Sequence, residues 1–268
     1  MIFTGKSKEY ANVEAKKLQM DWTFTKRIID KIADFIFPRH CLCCGKTNPD
    51  GEYEHICDDC RETLRLLTGA RCTKCSEPIG PATLPNINGC AKCIDRKFAF
   101  DKSLCLCAFD GAGREIVHAL KYKTGVYVLG DISKIAAKIP ETETFLKDAI
   151  LVPVPLHITR TMKRHYNQSE LIAKAVAKTY PTANAKIAKL IRRTRRTSTQ
   201  TSFDKQERAA NIKGAFAATK KADEISKEAN IVIVDDVMTS GATLSECAKT
   251  LKRAGFKHVS AFAFARRL

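Results

Sequence analysis

The sequence predicts an α/β fold, a parallel sheet with flanking helices, preceded by a small cysteine-rich module. Nine of the twelve cysteines lie between residues 41 and 93, in a stretch that offers little material for an apolar core. After Phe100, short apolar runs alternate with helical patterns, as the crossover connections of a parallel sheet require. The chain has 268 residues and a hydrophobic fraction of 44%, enough to bury a sizeable core.

Composition divides the chain into three segments. Residues 1–20 are polar and lack a clear period, which predicts a disordered tail. Residues 21–98 hold an amphipathic helical pattern that begins at Trp22, and then the cysteine-rich module. The helical stripe is only about three to four turns long and has few basic residues, so we expect it to pack on the protein rather than on a membrane. Residues 99–268 form the α/β segment.

The α/β segment alternates between the two kinds of periodicity. Four stretches have the apolar pattern of strands: residues 103–109, 149–154, 231–234 and 258–264. Four have helical periodicity: residues 114–122, 132–138, 169–178 and 243–251. Strands that alternate with helices predict crossover units and hence parallel pairing.

Eight cysteines form four Cys-x-x-Cys pairs. They are Cys41/Cys44, Cys57/Cys60, Cys72/Cys75 and Cys90/Cys93. Each such turn directs two sulfurs at one metal, and two turns complete a tetrahedral shell of four thiolates with no open position, so we predict two structural zinc ions. Sequential pairing is the natural arrangement, and interleaved pairing also fits the spacing. An iron–sulfur cluster uses the same ligands. Disulfides are disfavoured because no export signal is visible.

The most distinctive chemical motif spans residues 231–244. A buried strand runs into Asp235 and Asp236, and a loop of small residues and a helix follow. Residues 239–243 can turn several backbone N–H groups toward one phosphate at the helix N-terminus, where the helix dipole favours an anion. Thr243 and Glu246 match a capping box. The two carboxylates can accept hydrogen bonds from ribose hydroxyls.

This motif resembles the phosphoribosyl-diphosphate signature of type I phosphoribosyltransferases, and the chain resembles the ComF competence family. Further stretches agree with that family in order and spacing. They are Leu120-Lys121-Tyr122 with Gly125, Val152-Pro153-Val154-Pro155, Arg164-His165-Tyr166-Asn167-Gln168, and Gln200-Thr201 with Arg208, Asn211 and Gly214-Ala215-Phe216. The cysteine pairs resemble its double zinc ribbon. The likeness covers about residues 30–268.

The resemblance implies a type I phosphoribosyltransferase-like domain that binds phosphoribosyl diphosphate. The aspartates would hold the ribose, the loop would cradle the 5′-phosphate, and Arg164 would meet the pyrophosphate together with magnesium. The implied binding residues are Asp235, Asp236, Thr239, Ser240, Gly241, Ala242, Thr243, Arg164 and Lys121. The family usually has glycine at the position of His165, which bears on catalysis more than on binding.

The charge balance indicates an anionic partner. Lys and Arg total 46 against 29 Asp and Glu, a net charge of +17. Residues 186–213 are dense in Lys and Arg, and Phe203 is their only aromatic residue. Phosphate contact is therefore better supported than base stacking. The segment fits either a loop that covers a diphosphate substrate or a contact with nucleic acid.

Three functions compete. A ComF-like protein would bind phosphoribosyl diphosphate or a nucleotide and assist the competence machinery in DNA uptake during natural transformation. The alternatives are a nucleobase phosphoribosyltransferase of salvage and a non-catalytic protein that binds single-stranded nucleic acid. With no export signal and no stretch apolar enough to span a bilayer, we expect a cytoplasmic protein, with the inner face of the membrane as an alternative location. Met20 is an alternative start.

Overall fold

The computed structural model describes residues 38–47, 51–80, 89–93, 96–122, 125–156, 166–195 and 212–268. The predicted tail and the helical pattern that begins at Trp22 lie outside the described residues, as do Arg164, His165 and the middle of the basic segment, residues 196–211.

The central sheet consists of five parallel strands. Their bounds are β1 Ser103–Ala108, β2 Ile150–Pro153, β3 Lys186–Ile187, β6 Asn230–Met238 and β7 His258–Arg266. Their order in the sheet is β1-β7-β6-β2-β3. A separate antiparallel pair consists of β4, Ile191–Arg193, and β5, Phe216–Ala218. The predicted parallel sheet is thus confirmed, and β6 runs on through the two aspartates, beyond the apolar run of residues 231–234.

Helices flank the sheet. They are α1 Asp58–Arg61, α2 Gly111–Tyr122, α3 Leu129–Ala137, α4 Glu141–Leu146, α5 Gln168–Thr179 and α6 Ala242–Arg253. Short 3-10 turns cover Ala91–Cys93, Val126–Val128, Pro181–Ala183 and Lys220–Ala222. The four predicted helices correspond to α2, α3, α5 and α6. Among the helices of the described segments, none is long and apolar enough to cross a membrane.

The sheet separates two apolar cores. Alternate residues of a strand point to opposite faces, and β6 shows this directly. Val232 and Val234 pack on one side, in a cluster with Ile116 of α2. Ile233 packs on the other side, in a cluster with Leu244 of α6. The parallel strands are therefore covered on both faces, which explains their continuous apolar runs.

Each half of the cysteine-rich module packs against a different core. Tyr53 and Ile56, from the first half, belong to the cluster on the α2 side. Cys72, Cys75 and Cys93, from the second half, belong to the cluster on the α6 side. The apolar residues of the module are therefore buried against the sheet domain, as expected for a stretch that is poor in core residues.

A buried carboxylate fastens the first half of the module to α3. Asp131 is fully buried. Its oxygens accept hydrogen bonds from the backbone N–H of Glu54 at 2.7 Å and from that of His55 at 3.0 Å. The His55 ring nitrogen Nδ1 lies 3.2 Å from the same carboxylate. Since backbone donors of the module meet their acceptor on α3, the first half is tied directly to the sheet domain.

Candidate functional site

The first four cysteines converge on one point. The sulfurs of Cys41, Cys44, Cys57 and Cys60 all lie within 4.8 Å of one another. The Sγ atoms of Cys44 and Cys57 are 3.7 Å apart, and the backbone N–H of Cys57 donates to the Sγ of Cys41 at 3.4 Å. Gly45 has a φ of 76° and donates its N–H to the Cys41 carbonyl, which closes the turn between the first two ligands.

The second four cysteines form the same arrangement. The sulfurs of Cys72, Cys75, Cys90 and Cys93 also lie within 4.8 Å of one another. Sγ–Sγ distances are 3.8 Å for Cys72 and Cys93 and 3.7 Å for Cys75 and Cys90. The backbone N–H of Cys90 donates to the Sγ of Cys72 at 3.2 Å. The pairing of the four Cys-x-x-Cys turns is therefore sequential rather than interleaved.

Both clusters fit a structural zinc ion. A zinc–sulfur bond of about 2.3 Å in a tetrahedral shell places neighbouring sulfurs about 3.8 Å apart. The Sγ–Sγ distances of 3.7 to 3.8 Å match that edge. A full thiolate shell leaves no position for water or substrate, so such ions hold the fold together rather than act in chemistry.

The two aspartates lie near the end of β6 and reach different neighbours. Asp235 Oδ1 accepts the Ser169 hydroxyl at 3.1 Å and the backbone N–H of Asp236 at 2.9 Å. Asp236 Oδ2 lies 3.0 Å from Lys121 Nζ. The structure therefore brings together three of the predicted site residues, and it adds Ser169 at the start of α5, which sequence reasoning missed.

The two carboxylates differ in electrostatic environment. Burial and the neighbouring Asp236 carboxylate raise the pKa of Asp235 to about 7, against the opposing effect of the Asp236 N–H, Lys121 and Ser169. Lys121, whose side chain is about one-quarter exposed, forms its ion pair with Asp236 instead. The Asp235 carboxyl, with a pKa of about 7, therefore titrates near neutral pH.

The loop after β6 leads into α6 through Gly241. This residue has a φ of 78°, and a β-carbon there would lie 2.7 Å from the Phe98 ring. Both facts disfavour any residue with a β-carbon at this position. Gly241 caps α6 without a side-chain hydrogen bond, so the predicted capping box is wrong: Thr243 lies inside the helix. Glu246 instead accepts the backbone N–H of Gly214 at 2.8 Å.

The predicted phosphate-binding residues all lie at the N-terminus of α6. Thr239 and Ser240 connect the end of β6 to Gly241, and Ala242 and Thr243 open α6. All except Gly241 are partly exposed. A twelve-residue helix that begins at an accessible loop has a positive dipole end and first-turn N–H groups without partners inside the helix, features that favour an anion; of these groups, the N–H of Ala242 donates to the Ser240 hydroxyl at 3.4 Å.

Of the stretch that contains Arg164, the described residues begin at Tyr166. The Tyr166 hydroxyl donates to the Leu120 carbonyl at 2.9 Å. Asn167 caps α5 by accepting the Ser169 N–H at 3.0 Å, and its Nδ2 donates to the Val154 carbonyl at 3.0 Å. The stretches 120–122, 152–155 and 164–168, which the sequence analysis identified separately, therefore meet beside the aspartates.

A buried arginine that the sequence did not single out contacts the start of residues 239–243, the predicted phosphate loop. Arg266 is 2% exposed. Its Nη1 donates to the Met238 carbonyl at 3.0 Å and also to the Thr239 carbonyl, and its Nε donates to the Cys75 carbonyl at 2.8 Å. The signal in the sequence was an arginine that directly follows the apolar residues of β7.

Basic residues of the described segments lie around the short β4–β5 pair. Arg195 donates to the Lys213 carbonyl at 2.6 Å, and the Arg193 guanidinium lies over the Phe216 ring. Arg192 in β4 and Lys213, three residues before β5, are exposed, as is Lys186 in β3. The predicted basic segment thus includes residues anchored in structure as well as exposed ones.

Two protein families match the chain. Residues 32–94 match the double zinc ribbon domain, and residues 125–268, more than half of the chain, match the phosphoribosyl transferase domain. The first match contains both cysteine clusters. The second contains the aspartates and the phosphate loop.

Several curated relatives are similar to this chain over most of their length. Competence protein F of Haemophilus influenzae is 23% identical over 223 residues, which cover 78% of this chain and 96% of that protein. DNA utilization protein YhgH of Escherichia coli K12 is 27% identical over 236 residues, 86% and 98% of the two chains. Competence protein ComFC of Bacillus subtilis is 25% identical over 212 residues, 75% and 80%.

The clusters predict a zinc content that single substitutions change. We expect about two zinc ions per chain, and Cys57→Ser should lose one of them and expose the module to protease, because three thiolates hold zinc less well than four. Elemental analysis and limited proteolysis measure both effects. Cys43→Ser is the matched control, since this exposed cysteine lies outside the cluster. A zinc-free wild type with an intact module would contradict the assignment.

The raised pKa of Asp235 predicts a pH-dependent stability. Because the folded-state value is about 7 and the ordinary value 3.8, folding favours the protonated acid, and its contribution to stability is lost as pH rises between these values. Asp235→Asn removes the dependence, so its melting temperature should gain on that of wild type from about pH 5 to about pH 8. The exposed Asp223→Asn should follow wild type. Parallel curves for wild type and Asp235→Asn would refute the prediction.

Proposed function

The chain belongs to the ComF family, and on that premise we propose that it binds phosphoribosyl diphosphate or a nucleotide and serves DNA uptake. The observation that carries the ligand assignment is the placement of two carboxylates near the end of β6, two residues before a loop that enters the N-terminus of α6. The two carboxylates suit a ribose, and the loop with the N-terminus of α6 suits a phosphate.

The carboxylates supply the acceptors for the ribose. Their contacts with the other described residues use one oxygen of each: Oδ1 of Asp235 and Oδ2 of Asp236. We assign the second oxygen of each to a ribose hydroxyl. Lys121 keeps Asp236 in place through its ion pair, and Ser169 does the same for Asp235 through a hydrogen bond.

The loop and nearby cations supply the phosphate contacts. We assign the 5′-phosphate to the backbone N–H groups of residues 239–243. We assign the pyrophosphate to Arg164, which lies outside the described residues. Magnesium bound to the diphosphate would offset its charge, and the carboxylates of Asp235 and Asp236 are the donor type that magnesium prefers.

The relatives support a role with DNA. Their names refer to competence and to DNA utilization. This chain has a net charge of +17 and exposed basic residues beside β4 and β5, so we propose single-stranded DNA as a partner held through its phosphates. Components of the competence machinery are further proposed partners. Thiolate clusters need a reducing compartment, which supports action in the cytoplasm or at the inner face of the membrane.

Ligand binding should be visible as stabilisation. Phosphoribosyl diphosphate with magnesium at about 100 times its Kd should add about 2.7 kcal/mol to the free energy of unfolding, measured as a rise in melting temperature. Asp235→Asn with Asp236→Asn should abolish that rise because the ribose acceptors are weakened. The control is Asp58→Asn with Asp59→Asn, an exposed pair of adjacent aspartates on α1. If the double variant at residues 235 and 236 responds like wild type, the ribose assignment is wrong.

DNA binding should depend strongly on salt. Affinity for a single strand should fall by roughly 0.7 log units per log unit of salt for each phosphate neutralised. Replacing Lys186, Arg192 and Lys213 by Gln should therefore flatten the slope by about 2 and weaken all sequences alike.

The control for the DNA experiment is a triple change of equal charge elsewhere. Lys147, Lys178 and Arg253 are exposed residues outside the predicted basic segment, residues 186–213, and their replacement by Gln should leave the slope close to wild type. Equal effects of the two triple variants would show that the overall charge, not this surface, holds the DNA.

A further inference from the structure

Arg266 joins the second cysteine cluster to the phosphate loop. Its guanidinium donates to the carbonyl of Cys75, a cluster cysteine, and to the carbonyls of Met238 and Thr239 where the loop begins. Its Nη2 also lies 3.5 Å from Glu77, two residues beyond the cluster cysteine. Since the side chain is only 2% exposed, these contacts fix a buried charge between two segments that are distant in sequence.

The chain that leaves the second cluster contacts the same loop again. The Phe98 ring packs so closely on Gly241 that a β-carbon there would approach within 2.7 Å. The backbone N–H of Ala99 donates to the Ser245 hydroxyl in the first turn of α6 at 3.0 Å. The loop is therefore held by contacts from within this cluster and from just after it. The first cluster, by contrast, is tied to Asp131 on α3.

Because peptide units are planar, these contacts of the carbonyls also fix the direction of the amide N–H groups in the loop. A trans peptide unit is planar and sets its C=O and N–H antiparallel. When the carbonyls of Met238 and Thr239 point at Arg266, the N–H groups of Thr239 and Ser240 must point away from it. Donors held in advance bind an anion better than donors that have to be ordered at the moment of binding.

We propose that Arg266 is a positioning residue of the phosphate loop and makes the affinity of that loop for a phosphorylated ligand depend on the second cysteine cluster rather than the first. The inference rests on the proposed function for its ligand. The orientation of the loop by Arg266 is independent of the proposed function.

The test compares matched variants of the full chain by titration calorimetry with phosphoribosyl diphosphate and magnesium. Arg266→Lys keeps the charge but loses the planar fork that reaches several carbonyls, so affinity should fall about tenfold. Arg267→Lys, at the exposed next position, should bind like wild type. Cys90→Ser should lower zinc content and affinity together, whereas Cys60→Ser, equally half-buried in the first cluster, should lower zinc content alone.

Hydrogen exchange without ligand separates positioning from general destabilisation. Amides of residues 238–244 should exchange faster in Arg266→Lys and Cys90→Ser, while those in the centre of β6 keep the wild-type rate; faster exchange throughout β6 would indicate a merely structural role and overturn the proposal. Wild-type affinity and loop exchange in Arg266→Lys, or equal affinity losses in Cys60→Ser and Cys90→Ser, would also overturn it. If wild type does not bind the ligand, the proposed function fails, and loop exchange alone decides the role of Arg266.

Discussion

Strand β6 is paired on both sides, to β2 and to β7, and sends alternate side chains into two separate cores. A shift of one residue would place Val232 and Val234 in the core now occupied by Ile231 and Ile233, so the register is strongly specified. The register of β6 also fixes where the strand ends. The two aspartates, the phosphate loop and the entrance of α6 therefore occupy fixed positions relative to α2 and α5, which provide their partners.

Much of this arrangement could be predicted from local pattern. The strands and helices of the α/β segment have clear periodicity, and the four Cys-x-x-Cys turns identify metal ligands by spacing alone. The pairing of those turns could not be decided, because similar separations allow two topologies. The ion pair between Lys121 and Asp236 could not be predicted either. It depends on how α2 packs beside β6, and no local sequence pattern encodes that packing.

Two features of the site differ from what local pattern indicates, for specific reasons. Thr243 and Glu246 have the spacing of a capping box, but the positive φ of Gly241 moves the helix start, and Glu246 bonds Gly214 instead. Arg266 stands at the end of a strand, a position typical of an exposed charge. It is buried because carbonyls of the phosphate loop and of the second cysteine cluster converge on it. Burial of a charge depends on partners from elsewhere in the chain, which a linear pattern does not show.

The pairing of β1 with β7 has a consequence for the order of folding. Ser103 lies opposite Ala261, so the sheet cannot close until a strand made much later in synthesis becomes available. The cysteine clusters, by contrast, draw their ligands from short stretches, and each can capture its metal as soon as it emerges. Such a separation of local from distant contacts favours slow closure of the sheet. Until β7 arrives, the apolar face of β1 and its two thiols, Cys105 and Cys107, remain open to aggregation and oxidation, so supply of reductant during synthesis should influence the yield of native protein.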